Sequence, residues 1–281
     1  MENLVQSRTN RSQKREPDKG TAFLMNFLMV FVSFALVSSV IAVITVFNEN
    51  YTTKTMTQPA RVELVRKTMI ETLNPYISGS PLSNNDLNLL ITNGVAQDTI
   101  NQTVKNLYTN QANPFALEPM DTVLSSFLIK NGLPTAASDE VLDQFHSALT
   151  PRLQTPANQA RNALNQYTRI IALVALGLTI LAVIFTAIHL WATRFNPLMT
   201  LWGLSWATLL GSGVGFVAML VGKSRIIDAV PLSFGVAGRQ LAVSFAKVVI
   251  NSAQLIYGVV TGTALLIIVI IALIRIINRK K

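Results

Sequence analysis

The stretch "LLGSGVGFVAML", residues 209–220, places Gly211, Gly213 and Gly215 within five positions. Glycine at that density has two uses. Its bare backbone can cradle a phosphate, or it can let two helices touch where a side chain would hold them apart. Phosphate chemistry needs more than glycine. A dinucleotide fingerprint needs a strand before its glycines and an acidic residue about 20 positions on. A P-loop ends in Gly-Lys-Ser/Thr, with its first glycine five positions before the second. "GKS" does occur at Gly222, Lys223 and Ser224, but position 217 is Val. The three glycines stand inside an apolar run, after Trp202 and Trp206. That context speaks against a nucleotide site and leaves helix contact.

The spacing supports helix contact. Gly203, Ala207, Gly211 and Gly215 recur every fourth residue, and Ala218 and Gly222 extend the face. Gly258 and Gly262 repeat the spacing in the last apolar run. Small residues four apart let backbones approach closely where lipid offers no hydrophobic driving force. The stripe therefore predicts that the third apolar run packs face to face on the fourth, at Gly258 and Gly262. Homodimerisation through the third run is the alternative.

Other chemistry is sparse. There are two histidines. His146, in "DQFHSAL", falls on a predicted helix and reads as a solvated or satisfied side chain. His189 precedes Trp191 near the end of an apolar run and reads as an interfacial residue, although an ionisable group in a span always raises a functional question. No His-x-x-x-His, Glu-x-x-His or Gly-x-Ser-x-Gly pattern occurs. "NNDLN", with Asn84, Asp86 and Asn88, resembles the start of a calcium loop but lacks the glycine and closing glutamate such loops use; a helix cap explains it as well. Asn26, in the first apolar run, is placed to hydrogen-bond across helices. No metal, cofactor or catalytic residue is expected from these patterns.

Composition sets the frame for these residues. Half of the 281 residues are apolar and 13% are charged, against about a quarter charged in soluble domains; mean hydropathy is +0.42. The net charge of +9 points away from nucleic acid, because Lys and Arg cluster at the chain ends beside apolar runs. There is no Cys, which removes disulfides and thiolate metal sites. A large exported domain without Cys fits a bacterium, and a Gram-positive one by general expectation.

Four runs exceed the roughly 20 residues that cross a bilayer. The expected division is a basic tail over 1–20, spans at 21–47, 170–192, 198–221 and 255–277, a helical extracytoplasmic domain over 48–169, an outer loop over 222–254 and a tail over 278–281. The first run is too long for a cleaved signal and reads as an anchor. Ten basic residues flank one side: Arg8, Arg11, Lys14, Arg15, Lys19, Arg194, Arg275, Arg279, Lys280 and Lys281. The outer loop has four: Lys223, Arg225, Arg239 and Lys247. Both termini are then cytoplasmic. Trp191 and Trp202, bracketing Arg194, are the expected anchors of the inner interface; Tyr51, Tyr167 and Tyr257 fall at the outer one.

The 48–169 segment has an ordinary soluble charge balance and helical periodicity. One stripe is Val62, Val65, Met69 and Leu73, between Pro59 and Asn74-Pro75. A second follows Ser83, with Leu87, Leu90 and Ile91, and is expected to stop at Asn93-Gly94. A third is Ile100, Val104, Leu107 and Tyr108. A fourth, Val123, Leu124, Phe127 and Leu128, closes at Asn131-Gly132. Ser138 is expected to open a fifth, through Val141, Leu142, Phe145 and Leu149. Nothing breaks a helix between Pro156 and the second span. In the outer loop, Gln240, Ser244, Lys247 and Asn251 form a polar stripe opposite Leu241, Phe245, Val248 and Val249, an amphipathic helix leading into the fourth span.

The fold class is thus an all-α polytopic membrane protein, four transmembrane helices plus an all-helical extracytoplasmic domain. This layout, with the "VFNENY" exit from the first span, resembles a loose group of uncharacterised four-span proteins of Gram-positive bacteria. The order of one span, an outer domain and three spans is also similar to the permease of the cell-division ABC system. The 193–197 connection is far shorter than the segment through which such permeases meet their ATPase. The favoured reading is a non-enzymatic protein of the cell (plasma) membrane, in contact with the lipid bilayer, whose outer domain binds a protein or wall component. The chain could also form a homo-oligomer. A permease-like or accessory subunit of a transport or export complex is the alternative, and an enzyme with a Ser or Asp site outside known motifs is the third reading.

Overall fold

The computed structural model describes residues 18–74, 84–132, 134–149, 153–229 and 235–279. Of the described residues, 89% are helical and none is in a strand. The helices are α1 Lys19–Ile44, α2 Glu49–Met56, α3 Pro59–Leu73, α4 Asn84–Leu90, α5 Asn93–Tyr108, α6 Glu118–Lys130, α7 Thr135–Leu149, α8 Thr155–Ala192, α9 Pro197–Asp228 and α10 Gly235–Arg279.

Four of them are long and apolar enough to cross a membrane: Lys19–Ile44, Ala157–Ala192, Pro197–Asp228 and Arg239–Asn278, with hydropathies of 1.8 to 2.8. The chain is a multi-pass membrane protein. Large apolar side chains on these helices stand exposed, Phe23 at 74% and Leu173 at 69% among them, as helices bathed in lipid require. Asp18 starts α1: its carboxylate accepts from the Thr21 amide at 3.1 Å and the Thr21 hydroxyl at 2.5 Å, and these bonds hold its pKa below the ordinary carboxylate value.

Helix ends differ from the sequence boundaries. The first span stops at Ile44, where the Thr45 hydroxyl bonds back to the Ile41 carbonyl at 2.6 Å. The 222–254 loop is mostly helix, since α9 continues to Asp228 and α10 begins at Gly235. As expected, α8 runs unbroken for 38 residues into the second span.

The chain divides into two compact units. The first holds residues 1–37, 176–216 and 257–281. The second holds 38–175 and 217–256 and contains the helical domain. Its core buries Val62, Met69 and Leu73 of α3, Leu87 of α4, Ile91, Ala96, Ile100 and Val104 of α5 with its approach, Met120, Leu124 and Leu128 of α6, and Phe145 of α7. All of these but Ala96 and Met120 lie on the apolar stripes of the sequence, and α3 packs on α5, α5 on α6, and α6 on α7.

Local starts and stops are partly different. Pro59 is the first residue of α3, where its missing amide costs nothing. Gly132 closes α6 with φ +88°, a value that favours glycine. Asn93-Gly94 does not stop a helix; it starts α5, because Thr92 caps that helix through the Val95 amide. Ser138 is not the start of α7, which begins at Thr135. The Ser83 cap lies outside the described residues.

Helix α2 was not expected. Its eight residues are held by context: Asn48 caps it through the Tyr51 amide at 3.0 Å, and Tyr108 ties it down. The Tyr108 hydroxyl donates to the Val46 carbonyl at 2.5 Å. It must therefore accept from Thr52, 2.7 Å away. Burial first, then the Glu49 carboxylate, raises the Tyr108 pKa above its usual value; the Thr52 bond opposes this. Stability linked to neutral Tyr108 is thus present below the unfolded value, near 10, and is lost as pH rises through the higher folded value.

Two expectations follow for unfolding of the detergent-solubilised chain. Leu124→Ala, at a fully buried position, should cost about 2–5 kcal/mol, whereas Leu89→Ala, 75% exposed, should cost within about 0.5 kcal/mol. In a pH series, the stability gap between wild type and Tyr108→Phe should narrow above about pH 10. A gap constant to high pH would contradict the buried hydroxyl.

Candidate functional site

In the first unit, α9 carries the small-residue stripe. Ala207 is 2% exposed and sits in a cluster with Met29 and Val32 of α1. A Cβ on Gly211 would lie 2.6 Å from the Val30 carbonyl oxygen and 3.0 Å from the Phe34 amide nitrogen. A Cβ on Gly203 would lie 2.6 Å from Asn26 Oδ1 and 2.8 Å from His189 Nε2. A Cβ on Gly215 would overlap the Tyr257 ring. Gly213, Gly177 and Gly262 face open space, and Gly258 meets only the Phe216 ring, at 3.7 Å.

The partner of the stripe therefore differs from the expected one. Gly203, Ala207 and Gly211 face the first span, and only Gly215 meets the fourth. That last contact is a ring in a notch, not glycine on glycine: Tyr257, fully buried, occupies the space at Gly215 and stacks on Phe34 with centroids 6.5 Å apart. Tyr257 is thus no interface anchor. Spacing of small residues fixes which face of a helix is thin, not which neighbour fills it.

Polar groups punctuate the same bundle. Ser212, fully buried, donates to the Thr208 carbonyl at 2.6 Å and accepts from Thr261 at 2.9 Å, linking α9 to α10. Thr193 and Thr200 hydroxyls meet at 2.8 Å. His189 is 2% exposed, so it is buried among the helices. Among the described residues neither of its ring nitrogens has a hydrogen-bond partner, nor does Asn26 Oδ1. Asn26 of α1, His189 of α8 and the bare backbone of Gly203 on α9 thus meet at one point.

The three anchors fall near the turn from α8 to α9. Trp191 is 65% exposed on the last turn of α8. Arg194 and Phe195 form the turn with φ of 58° and 57°, left-handed values that are unusual for residues with a Cβ. Trp202 lies under the Arg275 guanidinium, 4.7 Å from the ring centroid, a cation–π contact.

In the second unit, α2 and α3 are each bridged to α10. The Tyr51 and Ser252 hydroxyls meet at 2.7 Å. Arg61, only 7% exposed, donates from Nη1 to the Thr55 carbonyl at 2.7 Å and to Gln58 Oε1 at 2.5 Å. Its Nε donates to Ser244 Oγ at 3.1 Å. Ser244 and Ser252 are eight residues apart, about 12 Å along the helix. Of the polar stripe of α10, Ser244 is held in this way, while Gln240 and Lys247 are exposed. Near the Tyr51–Ser252 level, a crevice of about 430 Å³ is lined by Ile44, Thr45, Tyr51, Val248, Asn251, Ser252, Leu255 and Ile256. Lys223 Nζ donates to Asn251 Oδ1 at 3.1 Å. The sequence named Tyr51 and Asn251 but not Arg61 or the crevice. The one available signal was the polar stripe of α10 continuing to Asn251 and Ser252.

His146 meets Asp121 at 2.8 Å on the surface of α6 and α7. Among the described residues, no three His, Cys, Asp or Glu side chains come together to hold a metal. No family model, curated protein or solved structure matches the chain.

Thermal stability in detergent checks the assignment of the thin face. Gly211→Ala and Gly215→Ala should each lower stability by about 1–3 kcal/mol, since the added methyl meets a backbone or a buried ring. Gly213→Ala should be neutral or stabilising by up to about 1 kcal/mol, from helix propensity alone. Equal behaviour of Gly211→Ala and Gly213→Ala would remove the assignment.

Proposed function

We propose that the chain is a non-enzymatic integral membrane protein of the cell envelope, whose helical domain, 48–169, binds a protein or a cell-wall component. The observation that carries this reading is that domain's own core, from Val62 to Phe145. A segment that only joined two spans would need no such core. Its surface supports the reading further. Helices α4 and α6 pack together, and each presents an exposed apolar side chain, Leu89 at 75% and Ile129 at 49%. Exposed apolar groups that adjoin in one patch mark a protein contact.

The same reading puts both termini in the cytoplasm and the domain outside, on the strength of ten basic residues against four. The layout it resembles is that of the four-span proteins of Gram-positive bacteria, and the plasma membrane is the matching location.

Orientation is tested by single cysteines, since the chain has none. A cysteine at Asn113 should react with an impermeant thiol reagent in intact cells, and one at Lys19 should not. The reverse pattern would sink the orientation. Binding is tested by a photo-activatable residue at Leu89, with a lipid-exposed control at Leu173. Irradiated native membranes should give a discrete protein or glycan adduct from Leu89 and lipid adducts alone from Leu173. An ATPase as the adduct would favour the permease-like alternative. No adduct at Leu89 beyond that of the control would contradict a binding domain.

A further inference from the structure

From the second unit we infer a binding site for one phospholipid with an anionic headgroup, in the crevice between the end of α1, α2 and α10. The site rests on three observations.

The first is shape and lining. Ile44, Leu255 and Ile256 give the crevice an apolar wall, and Thr45, Tyr51, Asn251 and Ser252 give it a polar end, with Val248 one turn beyond them on α10. Val248, Asn251, Ser252 and Leu255 stand at i, i+3, i+4 and i+7, one face of one helix. Ile44 closes one membrane-crossing helix, and Leu255 and Ile256 lie within another. The crevice is thus continuous with surface that lipid chains already cover, so an acyl chain is its natural filler. A headgroup belongs at the Tyr51 and Asn251 end.

The second is charge. The segments that lead to the polar end, residues 49–61, 223–228 and 239–251, carry six cations, Lys54, Arg61, Lys223, Arg225, Arg239 and Lys247, of which Lys223 reaches it directly. They supply two carboxylates, Glu49 and Asp228. Neither carboxylate pairs with any of the six, since the ion pairs among the described residues join Glu63 to Arg66 and Lys67, and Asp121 to His146. Lys223 Nζ holds only the amide oxygen of Asn251, which leaves two of its three donors for a phosphate and aims it at the crevice's polar end.

The third is Arg61. The Arg61 guanidinium is 7% exposed and bonded only to neutral oxygens, so no carboxylate offsets it. It adds a fixed positive field about two helical turns beyond the Tyr51–Ser252 level. An anion at the crevice mouth relieves that field; a zwitterionic headgroup does so less. The cations select the headgroup, and the apolar wall admits its chain.

The test uses the full chain, delipidated in detergent, with thermal stability read against added lipid. Phosphatidylglycerol should stabilise it with a midpoint about tenfold below that of phosphatidylcholine, the scale expected for one to two cations near a headgroup. Inorganic phosphate should have no effect at the same concentrations. Lys223→Gln should bring the two lipid midpoints within about threefold. Lys247→Gln, at an exposed side chain, is the substitute should Lys223→Gln lose its lipid-free stability. Val248→Trp, which fills the crevice, should abolish the response to both lipids. Equal midpoints for the two lipids in wild type would overturn the headgroup assignment. A response to phosphate alone would overturn the role of the chain. A full phosphatidylglycerol response in Val248→Trp would place the lipid elsewhere.

Discussion

The carbonyl oxygen of Val30 lies 2.6 Å from where a Cβ on Gly211 would stand, and the first unit depends on that approach. Within a bilayer, apolar side chains gain nothing by leaving lipid for each other. Association rests on close packing and on bonds between polar groups. Gly211 supplies the closeness. With α1 and α9 that near, Ala207 fits against Met29 and Val32, and Asn26 reaches the backbone at Gly203 beside His189. One turn beyond Gly211, the same thin face leaves the notch that Tyr257 fills. The Ser212–Thr261 bond sits next to it. A single helix face thus receives a backbone on one side and an aromatic ring on the other.

Much of this architecture is legible in the sequence, because long apolar runs and three-four periodicity are strong signals. The four spans, the stripes from Val62 to Phe145 and the unbroken α8 all follow from them. What fails to follow has a common cause: sequence places a residue along a helix more surely than around it or against a neighbour. The glycine stripe marked a thin face but not that Val30 would meet it. His189, three residues from the end of α8, reads as interfacial by depth and is buried by direction. Tyr257 reads as a belt residue and is instead the ring that fills Gly215. Helix α2 has a Thr-rich sequence of poor helix propensity, and its hold comes from Asn48, Ser252 and Tyr108, the last two far away in the chain.

The second unit shows the opposite economy of contacts. Its core is a conventional apolar one, but α2 and α3 are joined to α10 by polar bonds: Tyr51 to Ser252, and Arg61 to Ser244. Placing a guanidinium there without a carboxylate is expensive in isolation. The neutral oxygens of Thr55, Gln58 and Ser244 satisfy its donors without cancelling its charge. That distinction, between satisfied hydrogen bonds and uncompensated charge, is what makes this end of α10 electropositive and ties its structure to its chemistry. It also explains why the amphipathic stripe from Gln240 to Asn251 cannot be read as merely solvated: Ser244 and Asn251 each bind a cation of their own unit.

The claim that the thin face of α9 packs on α1 within one chain is tested most directly by a disulfide. A Cβ on Gly211 lies 3.1 Å from the Cβ of Ser33, a few tenths of an ångström inside the usual disulfide range of about 3.5–4.5 Å. The chain's lack of cysteine gives a clean background. Oxidised in native membranes, the Ser33→Cys/Gly211→Cys variant should yield an intramolecular cross-link, identified by mass spectrometry of the joined peptides, while Gly211→Cys/Gly262→Cys yields none. A cross-link between Gly211 and Gly262 instead, or a disulfide-linked dimer in place of the intramolecular product, would contradict the account.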